Sequence, residues 1–230
     1  MKRFSQLKDQ AVLSLEGKWL KSALITLVMI VIGSIISFIQ NYDSETVRIG
    51  GKLFVTIYNP LWLSLASILY LFILTLLDYG FDILMLEVKR GSKPLFATLI
   101  SGFKDYLRIW GTLFIRGLYV LLWLLLLIIP GIVKSYSYAM TPYVLKERPD
   151  LKYDGAIELS MQMMRGQKMR LFLLDLSFIG WVLLCILTLG IGFFFLIPYF
   201  STTRAAFYDN LKEELGMTVI VEEEIIVTEN

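Results

Sequence analysis

Arg116 is the residue whose position asks most for a chemical explanation. It stands inside Trp110–Ile129, a run with no other charge. On the insertion scale a central arginine costs about 3 kcal/mol, which the leucines and isoleucines of this run offset, so the segment still inserts. Arg116 lies about nine residues, or ~13 Å, into its helix. Such residues face a bundle interior or a cavity and find a partner there. Asp175, near the start of Leu171–Leu189, is the expected partner, and Asp78, just past Leu61–Leu77, is the second choice. The pair has two readings. It lines a site for a solute, a proton or a lipid headgroup, or it only clips helices together, which is the commoner case.

Lys134, in Ile132–Leu145, is expected near the outer end of its segment. There it snorkels to the interface or contacts a headgroup or anion. Asp78 and Asp82, four apart, share a helical face. No matching aspartate motif follows on another segment, so a paired-carboxylate enzyme is disfavoured. Tyr136, Tyr138, Tyr143 and Tyr199 suit an aromatic belt or core packing, and Pro142 and Pro198 predict kinks. The chain has no histidine and one cysteine, Cys185. That removes histidine-based acid–base chemistry, HExxH zinc sites and an intramolecular disulfide. No catalytic residue, metal or cofactor is expected, and the chain reads as a non-enzyme.

The elements that must position these residues are set by composition. Of 230 residues 57% are hydrophobic and 18% charged, and the mean hydropathy is +0.67. Soluble domains are about 45–50% apolar and about 25% charged. The expected fold is an all-α polytopic membrane protein with six transmembrane helices in one domain, residues 1–215, followed by an acidic tail, residues 216–230. The spans are placed at 22–39, 61–77, 110–129, 132–145, 171–189 and 191–207. The segment 132–145 is the poorest, and is read as a span because it follows a turn expected at Pro130-Gly131. The first run opens behind a polar segment with no small-x-small cleavage site after it, so it reads as a retained span.

All but four of the 22 lysines and arginines fall in segments that six crossings keep on one side. By the positive-inside rule that side is the cytoplasm, with both termini there and the chain in a bacterial cytoplasmic membrane. The exceptions are Arg48, Lys52, Arg116 and Lys134. Inner segments look amphipathic: Phe4, Leu7, Ala11 and Leu15 share one face, and Ile157, Met161 and Met164 another. In the first outer connection, Thr46–Ile49, Gly50-Gly51 and Lys52–Ile57 read as a two-residue hairpin. A tight turn is also expected at Gly190-Ile191-Gly192. Gly17, Gly102 and Gly166 each precede basic residues and an apolar run, the pattern of a threefold repeat of helical hairpins or of ordinary membrane entries.

Together, Leu86–Lys104, Ile128–Ile132 (IIPGI), Met163–Lys168 (MMRGQK), Asp175–Trp181 and Leu187–Tyr199 carry a resemblance. The chain resembles the bacterial integral-membrane family known as domain-of-unknown-function family 975, from about Met1 to Lys212. Ile128 to Gly166 also resembles, more faintly, the membrane domain of some glycerophosphodiester phosphodiesterases. The resemblance implies a multi-pass membrane protein and transfers no catalytic residue. The preferred expectation is a non-catalytic module that organises lipid or a protein partner. The alternative is a transporter or channel for a small solute or lipid, with a polar site around Arg116 and Asp175. Expected partners are the bilayer, anionic lipids at the cytoplasmic face and a membrane protein. Nucleic acid is not expected, because no stacking platform accompanies the basic residues.

Overall fold

A computed structural model describes residues 3–41, 44–49, 53–58 and 60–216; of side chains, it leaves out Ile36 and residues 39–66. The expected tail, residues 216–230, apart from Gly216, and the turn residues Gly50, Gly51 and Lys52 lie outside that set. The described chain is helical apart from one hairpin.

Helix α1 (Phe4–Leu15) begins with the Gln6 side chain accepting a hydrogen bond from the Arg3 amide at 2.8 Å. Its stripe Leu7, Ala11 and Leu15 is fully buried, as the four-residue spacing requires. Gly17, at φ +70°, then turns the chain. A left-handed φ suits glycine, and the bend it permits between α1 and α2 (Trp19–Asn41) is 93°. Strands β1 (Ser44–Ile49) and β2 (Leu53–Tyr58) pair antiparallel, from Ser44 opposite Tyr58 to Ile49 opposite Leu53.

Helix α3 (Pro60–Lys89) continues well past the expected end at Leu77. Its polar residues Asp78 and Asp82 are therefore inside a helix, not at its exit. Short α4 (Phe96–Leu99) and a 3-10 turn, Ile100–Phe103, lie directly on the α3 backbone. A Cβ at Gly80 would sit 1.8 Å from the Leu99 carbonyl oxygen, and one at Gly102 would sit 2.7 Å from that of Leu76. Only glycine permits so close an approach.

Helix α5 (Tyr106–Leu126) ends where Leu127 turns extended, and α6 (Ile128–Ser137) folds back along it. The turn is thus at Leu127 and not at Pro130-Gly131. Pro130 sits in the first turn of α6, where no helical hydrogen bond is lost. Gly131 brings the two helices together: a Cβ there would lie 2.8 Å from Leu124 Cα. The segment 132–145 is not one span. It runs over α6 and α7 (Thr141–Glu147), which are separated by a turn at Tyr138–Met140. Pro142 opens α7 and does not kink a longer helix.

Helix α8 (Asp154–Met163) buries Ala156, Ile157, Ser160 and Met163. Met164 is buried with them, whereas Met161 is only half-buried. Gly166, at φ +77°, repeats the conformation of Gly17, and Gly102 does not. Helices α9 (Lys168–Leu176) and α10 (Ile179–Leu187) share the fifth expected span, broken at Ser177-Phe178. A turn through Leu189 and Gly190, both at positive φ, leads to α11 (Phe193–Glu214), which contains Pro198. The core runs between α3 and α11 and includes Leu76, Ile83, Leu86, Phe207 and Leu211, closed by Leu7, Leu145 and Leu171.

Among the described residues three stretches are long and apolar enough to cross a membrane: Ser67–Lys89, Tyr106–Leu126 and Lys168–Leu187. The bent pair Phe4–Leu15 with Trp19–Ile35 would make a fourth. The turn between α5 and α6 is bare hydrocarbon, with Leu125, Leu126, Leu127, Ile128 and Ile129 all exposed. A run of this kind suits lipid and not water.

Candidate functional site

Arg116 lines a cavity of about 440 Å³ between α3, α5, α7 and α11. Asp78 and Asp82 on α3 line the same space, with Thr75, Pro142 and Ser201. The helix period accounts for the grouping. Thr75, Asp78 and Asp82 recur at three and four residues on one face of α3. Among the described residues Arg116, Asp78 and Asp82 make no hydrogen bond and no ion pair within 4.0 Å. The carboxylate whose field acts most on Arg116 is Asp82, and Arg204 opposes it from α11. The cavity thus holds one free cation and two free carboxylates in a setting otherwise built from apolar helices.

Asp175 is not the partner of Arg116. It pairs with Arg204, whose Nη2 donates to Oδ2 at 2.5 Å and Nε to Oδ1 at 3.2 Å. The Arg204 guanidinium also lies over the Phe200 ring, 4.8 Å from its centroid. The reason is helix direction. α9 runs antiparallel to α11, so Arg170 meets Glu214 at 3.0 Å at one end, and Asp175, later on α9, meets Arg204, earlier on α11. Asp78, the second choice, shares the cavity with Arg116. Lys134 is in neither group. It packs over the Trp123 ring at 4.9 Å and shares a second pocket with Arg165 and Lys168. Lys134 and those two residues, expected on opposite sides of the membrane, are therefore neighbours.

Asp82 belongs to the cavity and was visible in sequence only through its spacing from Asp78. Ser201 and Thr75 carried no signal of their own. Among the described residues no three cysteine or acidic side chains are grouped to hold a metal ion.

A separate charged network ties helix ends together. Asp209 accepts from Lys89 at 2.5 Å and from Arg90 at 2.6 Å. Glu147 accepts from Arg90, from Lys212 at 2.6 Å and from the Tyr208 hydroxyl at 2.7 Å. Lys146 reaches Glu87 at 3.2 Å, and the Lys18 Nζ donates to the Val88 carbonyl. Burial alone would raise the Glu147 carboxyl, but the bonds from Lys212, Arg90 and Tyr208 outweigh it and hold it below its ordinary value. Asp209 is lowered in the same way, with Arg90 and Lys89 overcoming burial. The ends of α3, α7 and α11 therefore lie together on one side of the molecule.

These features define a helical protein with apolar segments long enough to span a membrane and a polar cavity among them. The chain belongs to the family described as protein of unknown function DUF975, whose model matches residues 1–134 and 118–215. No curated protein and no solved structure matches the chain.

Proposed function

We propose that this is a multi-pass membrane protein that takes a small polar solute into the Asp78–Asp82–Arg116 cavity, as a step in moving it across the bilayer. The observation that carries this reading is the unpaired Arg116. A structural arginine in an apolar helix should be capped by a carboxylate, and Arg204 is so capped by Asp175. Arg116 instead opens on a cavity with two further free carboxylates. The two signs of charge fit a solute bearing both an amine and an acidic group. The scaffold alternative, a module organising lipid or a protein partner, draws its support from the basic helix ends and does not account for the cavity.

The basic network end faces the cytoplasm in this reading, with both terminal segments on that side. The α5–α6 hairpin returns to the side it left, whether it crosses or only dips. The charge distribution is therefore satisfied without a fourth straight span.

The test is solvent access. In a Cys185→Ala background, Thr75→Cys and Ser201→Cys are labelled in membrane vesicles with a small cationic thiol reagent. Both should react, and a small-molecule extract of cells should protect them. Absence of labelling from either side of the membrane would remove the reading.

A further inference from the structure

We propose that α6, the end of α8 and the start of α9 form a binding site for an anionic phospholipid, separate from the solute cavity. Two adjoining spaces make the site. The first, of about 580 Å³, is polar and lined by Lys134, Ser137, Glu158, Gln162, Arg165 and Lys168. The second, of about 420 Å³, is almost wholly apolar and lined by Ile129, Ile132, Val133, Tyr136, Met169 and Phe172. Lys168 borders both. The helix period of α6 explains the division: Ile132, Val133 and Tyr136 fall on one face, while Lys134 and Ser137 lie on the next.

The charge is selective. Three cations and one carboxylate leave the polar space positive. Among the described residues the side chains of Lys134, Arg165 and Lys168 form no hydrogen bond or ion pair, Lys134 packing only over the Trp123 ring. The network cations Lys89, Arg90 and Lys212 are all paired, so these three are available to a ligand where the others are not. The pocket also borders the start of α9, whose first turn has no side-chain cap. The helix N-terminus there adds to the attraction for a phosphate oxygen. A free phosphate would use only the polar space. A phosphodiester lipid fills both, with the headgroup among Lys134, Arg165 and Lys168 and an acyl chain along Ile132, Tyr136 and Phe172. The zwitterionic lipids have the same chains but present an ammonium to a positive pocket.

The test uses the full chain in detergent and native mass spectrometry. Phosphatidylglycerol and phosphatidylcholine of matched chains are titrated separately. Retention of phosphatidylglycerol should exceed that of phosphatidylcholine by about tenfold or more, from roughly 1 kcal/mol per basic residue near a headgroup. Lys134→Gln with Arg165→Gln and Lys168→Gln should bring the ratio near unity. Lys21→Gln with Lys104→Gln and Lys152→Gln removes equal charge from exposed positions and should leave the ratio intact. If the first triple variant does not fold, Lys134→Gln and Lys168→Gln alone should each lower the ratio several-fold. Equal retention in the unmodified protein overturns the proposal, as does equal loss in both triple variants. Displacement of the lipid by glycerol 3-phosphate at matched concentration would show a free-anion site and overturn it too.

Discussion

The pairing of Asp175 with Arg204, and not with Arg116, can be measured. The perturbations are Asp175→Asn, Arg204→Gln and Arg116→Gln, singly and in the two double combinations containing Asp175→Asn. Arg204 and Asp175 form two hydrogen bonds, at 2.5 and 3.2 Å, with side chains 32% and 14% exposed. Removing one partner of a fully buried pair costs about 3–5 kcal/mol. Partial exposure lowers that, and polar couplings in membrane proteins average about 0.6 kcal/mol with a maximum near ~1.7. Each single change at Asp175 or Arg204 should therefore cost about 2 kcal/mol. The double change should recover about 1 kcal/mol relative to the sum. Arg116→Gln with Asp175→Asn should be additive within about 0.5 kcal/mol, the ordinary scatter for uncoupled sites. The assay is reversible unfolding in mixed micelles, followed by helical circular dichroism. Additivity of Asp175→Asn with Arg204→Gln, or coupling of Asp175→Asn with Arg116→Gln above 1 kcal/mol on the scale ~1.4 kcal/mol per decade, would refute the assignment.

Further outcomes follow from other places in the fold. Gly80→Ala forces a methyl into the Leu99 carbonyl, 1.8 Å away. It should lower stability by about 3 kcal/mol, the upper end for overpacking, and increase proteolysis of the 91–104 connection. Leu189 is 94% exposed at φ +53°, so Leu189→Gly should raise the detergent unfolding midpoint by the equivalent of about 1 kcal/mol. Glu147 and Asp209 are both held below their ordinary values of 4.5 and 3.8. A lowered folded-state value adds stability that is full above the unfolded-state value and is lost as pH falls through the folded-state one. The unfolding midpoint should thus be level above about pH 5 and drop steadily below about pH 4. Glu147→Gln should flatten that drop and lower the plateau.

Much of the helix content was legible because long apolar runs admit few other structures. Gly17 and Gly166 were legible as corners, since a glycine before a basic anchor marks a change of direction. Breaks without a local signal were not. Ser177-Phe178 carries no proline or glycine, and Leu127 turns extended inside an unbroken apolar run. Tertiary packing decides such breaks: Gly131 draws α6 against Leu124 and so fixes where α5 must stop. Arg116 stood out because its charge conflicts with its surroundings. Its neighbours did not, because depth along straight helices cannot say which helix lies beside which. Asp175 was matched to Arg116 by depth, whereas the antiparallel course of α9 and α11 delivers it to Arg204. That Lys134 borders Arg165 and Lys168 was hidden for the same reason, once one presumed crossing became two short helices.

The ionic knot of Lys89, Arg90, Glu147, Asp209 and Lys212 has a mechanical consequence. It fastens three helices at one extremity, while Tyr106–Leu126 carries only 11% of its apolar stretch buried, against 44% for Ser67–Lys89. The knot therefore fixes three of the four walls of the space around Arg116, those of α3, α7 and α11, relative to one another, and leaves α5 as the wall it does not hold.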